Sequence, residues 1–151
     1  MMKKMSKNIK TVIEILQNEV DGNVAFALKK VTEDYTMTWM ERTKKGDLFP
    51  TETMDTGQDI DEIYAIKGRQ YDIKNIAEGD SVVMVELVES YPDPKTKKVY
   101  RTPLVLVLEM KNGKIRTGRH YMGPKLSGEF LTKAQINKVY KKSKGSMKII
   151  K

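Results

Sequence analysis

The sequence predicts an α+β fold, with two to three N-terminal helices packed on a curved antiparallel β-sheet. Apolar residues recur at helical spacing between residues 9 and 31, and they alternate with a period of two from residue 35 onward. The pair Asn112-Gly113 joins a long apolar strand to a second strand as a hairpin, because both central residues of a two-residue type I′ turn need positive φ. A helix buries one stripe and a strand one face, so helices followed by consecutive strands settle on one side of a sheet.

Ile9, Val12, Ile13, Leu16 and Val20 mark the inner stripe of a first helix, which Asp21-Gly22-Asn23 ends. Val24, Ala27, Leu28 and Val31 mark a second helix across a tight turn. From Tyr35 the period becomes two, with Tyr35, Met37 and Trp39 on one face of a strand. Residues 42–53 are polar and read as a loop, and Thr56-Gly57-Gln58-Asp59 resembles a capping box that opens a third helix through Ile60, Ile63, Tyr64 and Lys67.

Tyr71 to Ala77 reads as a strand, Glu78-Gly79-Asp80 as a turn, and Ser81 to Tyr91 as a β-branched strand. Pro92-Asp93-Pro94-Lys95 leads out of the ladder, since proline lacks the donor. In the hairpin that follows, Leu104 to Leu108 is apolar at every position, so both faces of this strand must be covered. One face takes the helices and the other a second copy of the chain, with Val105 and Val107 at a sheet-to-sheet homodimer contact. After Gly123-Pro124, residues 126–142 form a short helix with Ile136, Val139 and Tyr140 inward. The lysine-rich end from Ser143 to Lys151 is expected to be loose and dispensable for folding.

At 151 residues the whole chain, 1–151, reads as one domain, with its core over about 9–123 and a C-terminal extension over 124–151. The absence of cysteine excludes disulfides and thiolate metal sites, and a cytoplasmic location is expected. No apolar run has the length of a membrane span. The net charge of +8 comes from the ends: residues 1–10 carry four lysines and residues 133–151 seven, with no acid in either, which leaves the body at −3. Nucleic acid is therefore not the expected partner, because the basic charge sits on end segments and not on the domain.

The order of these features resembles the SnoaL-like branch of the nuclear-transport-factor-like superfamily, over about Ile9 to Met122. The residues that carry the resemblance are Asp21-Gly22-Asn23 between the first helices, Gly57 at the third helix, and Gly79-Asp80 before a valine-rich strand. The closing Asn112-Gly113-Lys114-Ile115, with Tyr121 six positions on, completes the set. The resemblance implies a cone-shaped roll with a pocket between helices and concave sheet, and pairing through the sheet. Its relatives include ketosteroid isomerases, polyketide cyclases and limonene epoxide hydrolases. The epoxide-hydrolase-like closing strand reads Arg-Asp-Tyr-Phe-Asp, against Arg119-His120-Tyr121-Met122-Gly123 here, and Val85-Glu86-Leu87-Val88-Glu89 lacks the Arg-x-Asp pair of those enzymes. That triad is absent.

His120 is the candidate acid or base, since an imidazole titrates near neutral pH, and Glu86 on a neighbouring strand is the candidate that orients its ring. Tyr35, Met37, Trp39, Met84, Val88, Leu104, Leu106 and Met122 are expected to wall an apolar pocket, with Arg116 at its mouth. One histidine among scattered carboxylates gives no metal-ligand spacing, and the glycines do not form a phosphate loop, so neither metal nor cofactor is expected. The leading function is binding of a small, largely apolar molecule. The alternatives are an isomerase-, cyclase- or lyase-type enzyme using His120, and an interaction protein acting through its basic ends.

Overall fold

In the computed structural model, which describes residues 4–40, 51–53, 65–123, 125–126 and 128–151, Ser6 caps the first helix by accepting a hydrogen bond from the Ile9 amide at 3.1 Å. This helix, α1 (Lys7–Val20), buries Val12, Ile15 and Leu16 against the sheet, and Gly22 with φ of 71° ends it. Helix α2 (Val24–Leu28) is shorter than the spacing suggests, because Val31 already belongs to the first strand and pairs with Ile115.

The strands are β1 (Val31–Trp39), β2 (Thr51–Thr53), β3 (Gln70–Gly79), β4 (Val82–Pro92), β5 (Val99–Lys111), β6 (Lys114–Met122) and β7 (Lys148–Ile150). They form one sheet in the order β2-β1-β6-β5-β4-β3-β7. β1 runs parallel to β6, so the sheet is mixed and not purely antiparallel as the sequence suggested. The helices deliver the chain beside the last long strand, and a pairing so distant in sequence leaves no local trace. β2 was expected to be loop, yet its backbone pairs with Thr36 to Thr38. The third helix expected from Thr56 lies outside the described residues as far as Tyr64.

Both tight hairpins are as their turn chemistry requires. Asn112 and Gly113 have φ of 51° and 76° between β5 and β6, and Asp80 and Ser81 have 49° and 62° between β3 and β4. Register shifts at Val31/Thr36, Ile73/Asn75 and Glu109/Met110 interrupt the ladders and bend the sheet. Val83, Val85, Leu87, Leu104, Leu106 and Leu108 line its concave face with α1 above them.

The C-terminal end is not loose. Phe130 stacks on Tyr100 with ring centroids 4.4 Å apart, the Leu131 carbonyl accepts from Arg101 at 2.8 Å, and Thr132 caps helix α3 (Lys133–Val139) with a full capping box. Ile136 of this helix is buried, whereas Val139, expected inward, is 70% exposed. Beyond it, β7 pairs antiparallel with Tyr71 to Ile73, and Ile150 is 1% exposed within the main core. Four residues, Met147-Lys148-Ile149-Ile150, dock the whole extension; among lysines the run is too short to stand out, and its partner edge lies some seventy positions upstream.

Candidate functional site

α1, α2 and the concave sheet enclose a cavity of about 350 Å³. Its floor is apolar: Leu87, Leu104, Leu106 and Leu108 from β4 and β5, with Val12, Ile15 and Leu16 of α1 as roof. Gly118 makes room on β6, since a Cβ there would lie 2.7 Å from Cε of Met37 on the paired strand. Met37 thus lies over the floor of the cavity.

Of the residues singled out in the sequence, Tyr35, Met37, Trp39, Leu104, Leu106, His120 and Met122 line this cavity. His120 pairs with Leu106 on one side and Trp39 on the other, which puts its ring on the concave face, half-buried. Glu86, Met84, Val88 and Arg116 are not among the lining residues. In β4 and β5 the partners are Glu86 with Val105 and Met84 with Val107, so the even positions of β4 share a face with the odd positions of β5. Glu86 therefore points to the convex side, where it accepts a hydrogen bond from Asn75 at 2.6 Å. It cannot orient His120. Met84 is 51% exposed on that same convex face, and Val88 is buried outside the main core. Arg116 is displaced by the register shift at Glu109/Met110, which turns Ile115 inward, and it pairs with Asp34 at 3.4 Å on the surface.

Beside Tyr35 and His120, the cavity is lined by polar groups that the sequence did not single out. Arg69 is 4% exposed and its Nη1 donates to Oε2 of Glu89 at 2.7 Å, with the guanidinium 4.7 Å from the ring centroid of Tyr91. The Tyr71 hydroxyl donates to Oε2 of Glu19 at 2.7 Å. Glu19 shares the cavity with Tyr35 and acts on it through its charge, so one carboxylate on α1 influences tyrosines of both β1 and β3, which are separated by three strands in the sheet order. Burial first, and then the Glu19 charge, pushes the Tyr35 hydroxyl far above the usual tyrosine range. Tyr91 is raised as well, by burial and by Glu89 against the opposing pull of Arg69. Both phenols stay neutral donors at physiological pH.

Each of these groups left a signal. Arg69 continues the inward parity of Tyr71 and Ile73, Glu89 that of Val85 and Leu87, and Glu19 follows Val12, Ile15 and Leu16 at i+7. An ion pair and a carboxylate in an apolar enclosure cost desolvation energy unless each is hydrogen-bonded, and here each is. His120 sits on the other wall: Leu106 pairs with both His120 and Val85, and Glu89 lies four residues past Val85. That is about 13 Å along the strand and roughly 10 Å across two strand spacings. The cavity thus has a polar group on each of two walls and hydrocarbon between them.

Among the described residues no cluster of histidine and acid has metal-binding geometry, and no helix is long and apolar enough to cross a membrane. No protein-family model and no curated protein matches the chain. Solved structures do. TerC, co-crystallised with polyporic acid, is similar over 83% of this chain and 98% of its own, at a TM-score of 0.67 and 16% identity. A putative isomerase from Bacillus subtilis is similar over 87% and 100%, at 0.62 and 16%. An NTF2-like protein of unknown function from Cytophaga hutchinsonii is similar over 85% and 100%, at 0.60 and 14%. Together with the helices on a curved sheet and the enclosed concave face, these likenesses show that the chain has the α+β cone fold seen in NTF2-like proteins.

Proposed function

We propose that the chain binds a small, largely apolar molecule in the cavity between α1, α2 and the concave sheet. The observation that carries this reading is the cavity itself, about 350 Å³ walled by leucine, valine, methionine and aromatic side chains with a few fixed polar groups. Such a composition suits a ligand held by desolvation and oriented by a small number of hydrogen bonds. His120 supplies one of these. The enzyme reading rests on the same histidine and is weaker, because Glu86, its proposed orienting partner, lies on the other face of the sheet.

The test uses the chain's single tryptophan, Trp39, which lines the cavity. Titration with the neutral dye N-phenyl-1-naphthylamine is expected to quench Trp39 and brighten the dye with one saturating curve, and Leu106→Phe, which fills the floor, is expected to weaken both. Dye fluorescence that rises without any change at Trp39 contradicts the proposal.

A second copy of the chain is the proposed cover for the convex face. Met84 and Tyr121 are exposed there beside half-buried Val105 and Val107, around the Glu109–Arg119 ion pair of 2.6 Å. Apolar side chains on an open sheet face suit burial against a copy of themselves about a two-fold axis.

A further inference from the structure

We infer that Glu89 is the group that recognises the polar end of the ligand, and that the ligand is an apolar molecule carrying a hydroxyl donor and not an acid. This rests on the reading that the cavity binds a small apolar molecule. Arg69 and Glu89 form one pair, but they are presented unequally: the Arg69 side chain is 4% exposed and that of Glu89 20%. The guanidinium is covered by the Tyr91 ring at 4.7 Å and directed at Oε2 of Glu89. What a molecule in the cavity meets is the carboxylate. An ionised carboxylate has about four acceptor positions on its two oxygens, and among the described residues Arg69 is the donor bonded to Glu89, at Oε2.

Glu19 strengthens the same preference. It lines the cavity as a second carboxylate, so an entering acid meets two groups of like charge, while a hydroxyl finds acceptors. Leu87 and Leu104 line the cavity beside Glu89, so a ligand seated on them displaces water from the carboxylate, which makes a hydrogen bond to it worth more than one at the surface.

The test compares three compounds with one ring system, 2-naphthol, 2-methoxynaphthalene and 2-naphthoic acid, by calorimetry on the full chain. The wild type is expected to bind 2-naphthol about ten- to a hundredfold more tightly than its methyl ether, the range of one hydrogen bond to a charged group, and to bind the acid no better than the ether. The double variant Arg69→Met/Glu89→Leu removes both charges together, which avoids leaving one of them buried alone. It is expected to keep the affinity for the ether within about threefold and to lose the preference for the hydroxyl. Glu89→Gln, which keeps the side chain's shape, is read the same way and is expected to reduce the preference at least about fivefold. Equal affinity of naphthol and ether in the wild type, a preference that survives both variants, or tightest binding of the acid overturns the inference. Uptake of N-phenyl-1-naphthylamine at Trp39 with no naphthol preference defeats this inference alone. No uptake of the dye or of any naphthalene defeats the cavity reading, and this inference with it.

Discussion

Along β5, Leu104, Leu106 and Leu108 point into the cone while Val105 and Val107, lying between them, look out. The two faces carry nearly the same hydrocarbon and meet different fates. The concave face is covered by α1 and α2 and keeps a hollow. The convex face is left with Met84 at 51% and Tyr121 at 40% exposure. The C-terminal extension covers part of it, where Tyr140 lies beside Glu86 and the Lys74 ammonium lies 4.7 Å over the Tyr140 ring. Hydrophobicity alone therefore says that a strand is covered on both sides; which side becomes core, cavity or contact is decided by what the rest of the chain brings to it.

The comparison is broken most severely at the sheet edge. Removing residues 147–151 deletes β7 and the fully buried Ile150, and should cost about 2–5 kcal/mol, the scale of a large-to-small change in a packed core. For a chain of this length that is a fall of roughly 5–15 °C in melting temperature, read by calorimetry or circular dichroism. An unchanged melting temperature would mean that β7 contributes nothing. One residue type tests the two faces next: Val85→Ala, fully buried on the concave side, should cost about 1.5–3 kcal/mol, and Val107→Ala under about 1 kcal/mol in the monomer.

Val107→Arg probes the convex face differently, leaving the fold intact and, by placing cations across a two-fold contact, converting a dimer to a monomer by light scattering. A wild type that is monomeric at micromolar concentration contradicts the proposed pairing. His120→Ala should weaken ligand binding by on the order of 1–2 kcal/mol, one hydrogen bond, with little loss of stability because the ring is only half-buried.

The smallest effect belongs to Glu109. Hydrogen bonds from Arg119 first, and then Thr117, hold its carboxyl below the usual glutamate range. A lowered pKa in the folded state stabilises above the ordinary carboxylate value and is lost as pH falls through the folded one. Because the group is largely solvated, Glu109→Gln should shift stability by only a few tenths of a kcal/mol near pH 7, and by less still in acid.

The sequence carried the elements further than it carried their faces. Helix α1 and the Asn112-Gly113 turn follow from local periodicity and turn chemistry, whereas the inward position of His120 was implied by parity together with the family resemblance: counted from the turn alone it would face Val105, and the register shift at Glu109/Met110 sets it opposite Leu106. Glu86, Met84 and Val88 were misplaced because the connection from Pro92 to Val99 spans six residues and, unlike a two-residue turn, does not fix the register between β4 and β5. Every position from Val82 to Val85 is apolar, so alternation gave no correction. Arg69, Glu89 and Glu19 were legible in principle, as charged residues continuing an inward apolar pattern, but such residues read as strand and helix ends until the cone closes over them. The parallel pairing of β1 with β6 and the docking of β7 had no local signature at all.

The two faces can be read in a single titration. With 13C-methyl-labelled methionine, Met37 and Met122 report on the concave face and Met84 on the convex one. Addition of 2-naphthol is expected to shift the Met37 and Met122 methyl signals along one saturating curve and to leave Met84 in place. Movement of Met84 with Met37 and Met122 unaffected would put the ligand on the outer face and contradict the cavity as the binding site.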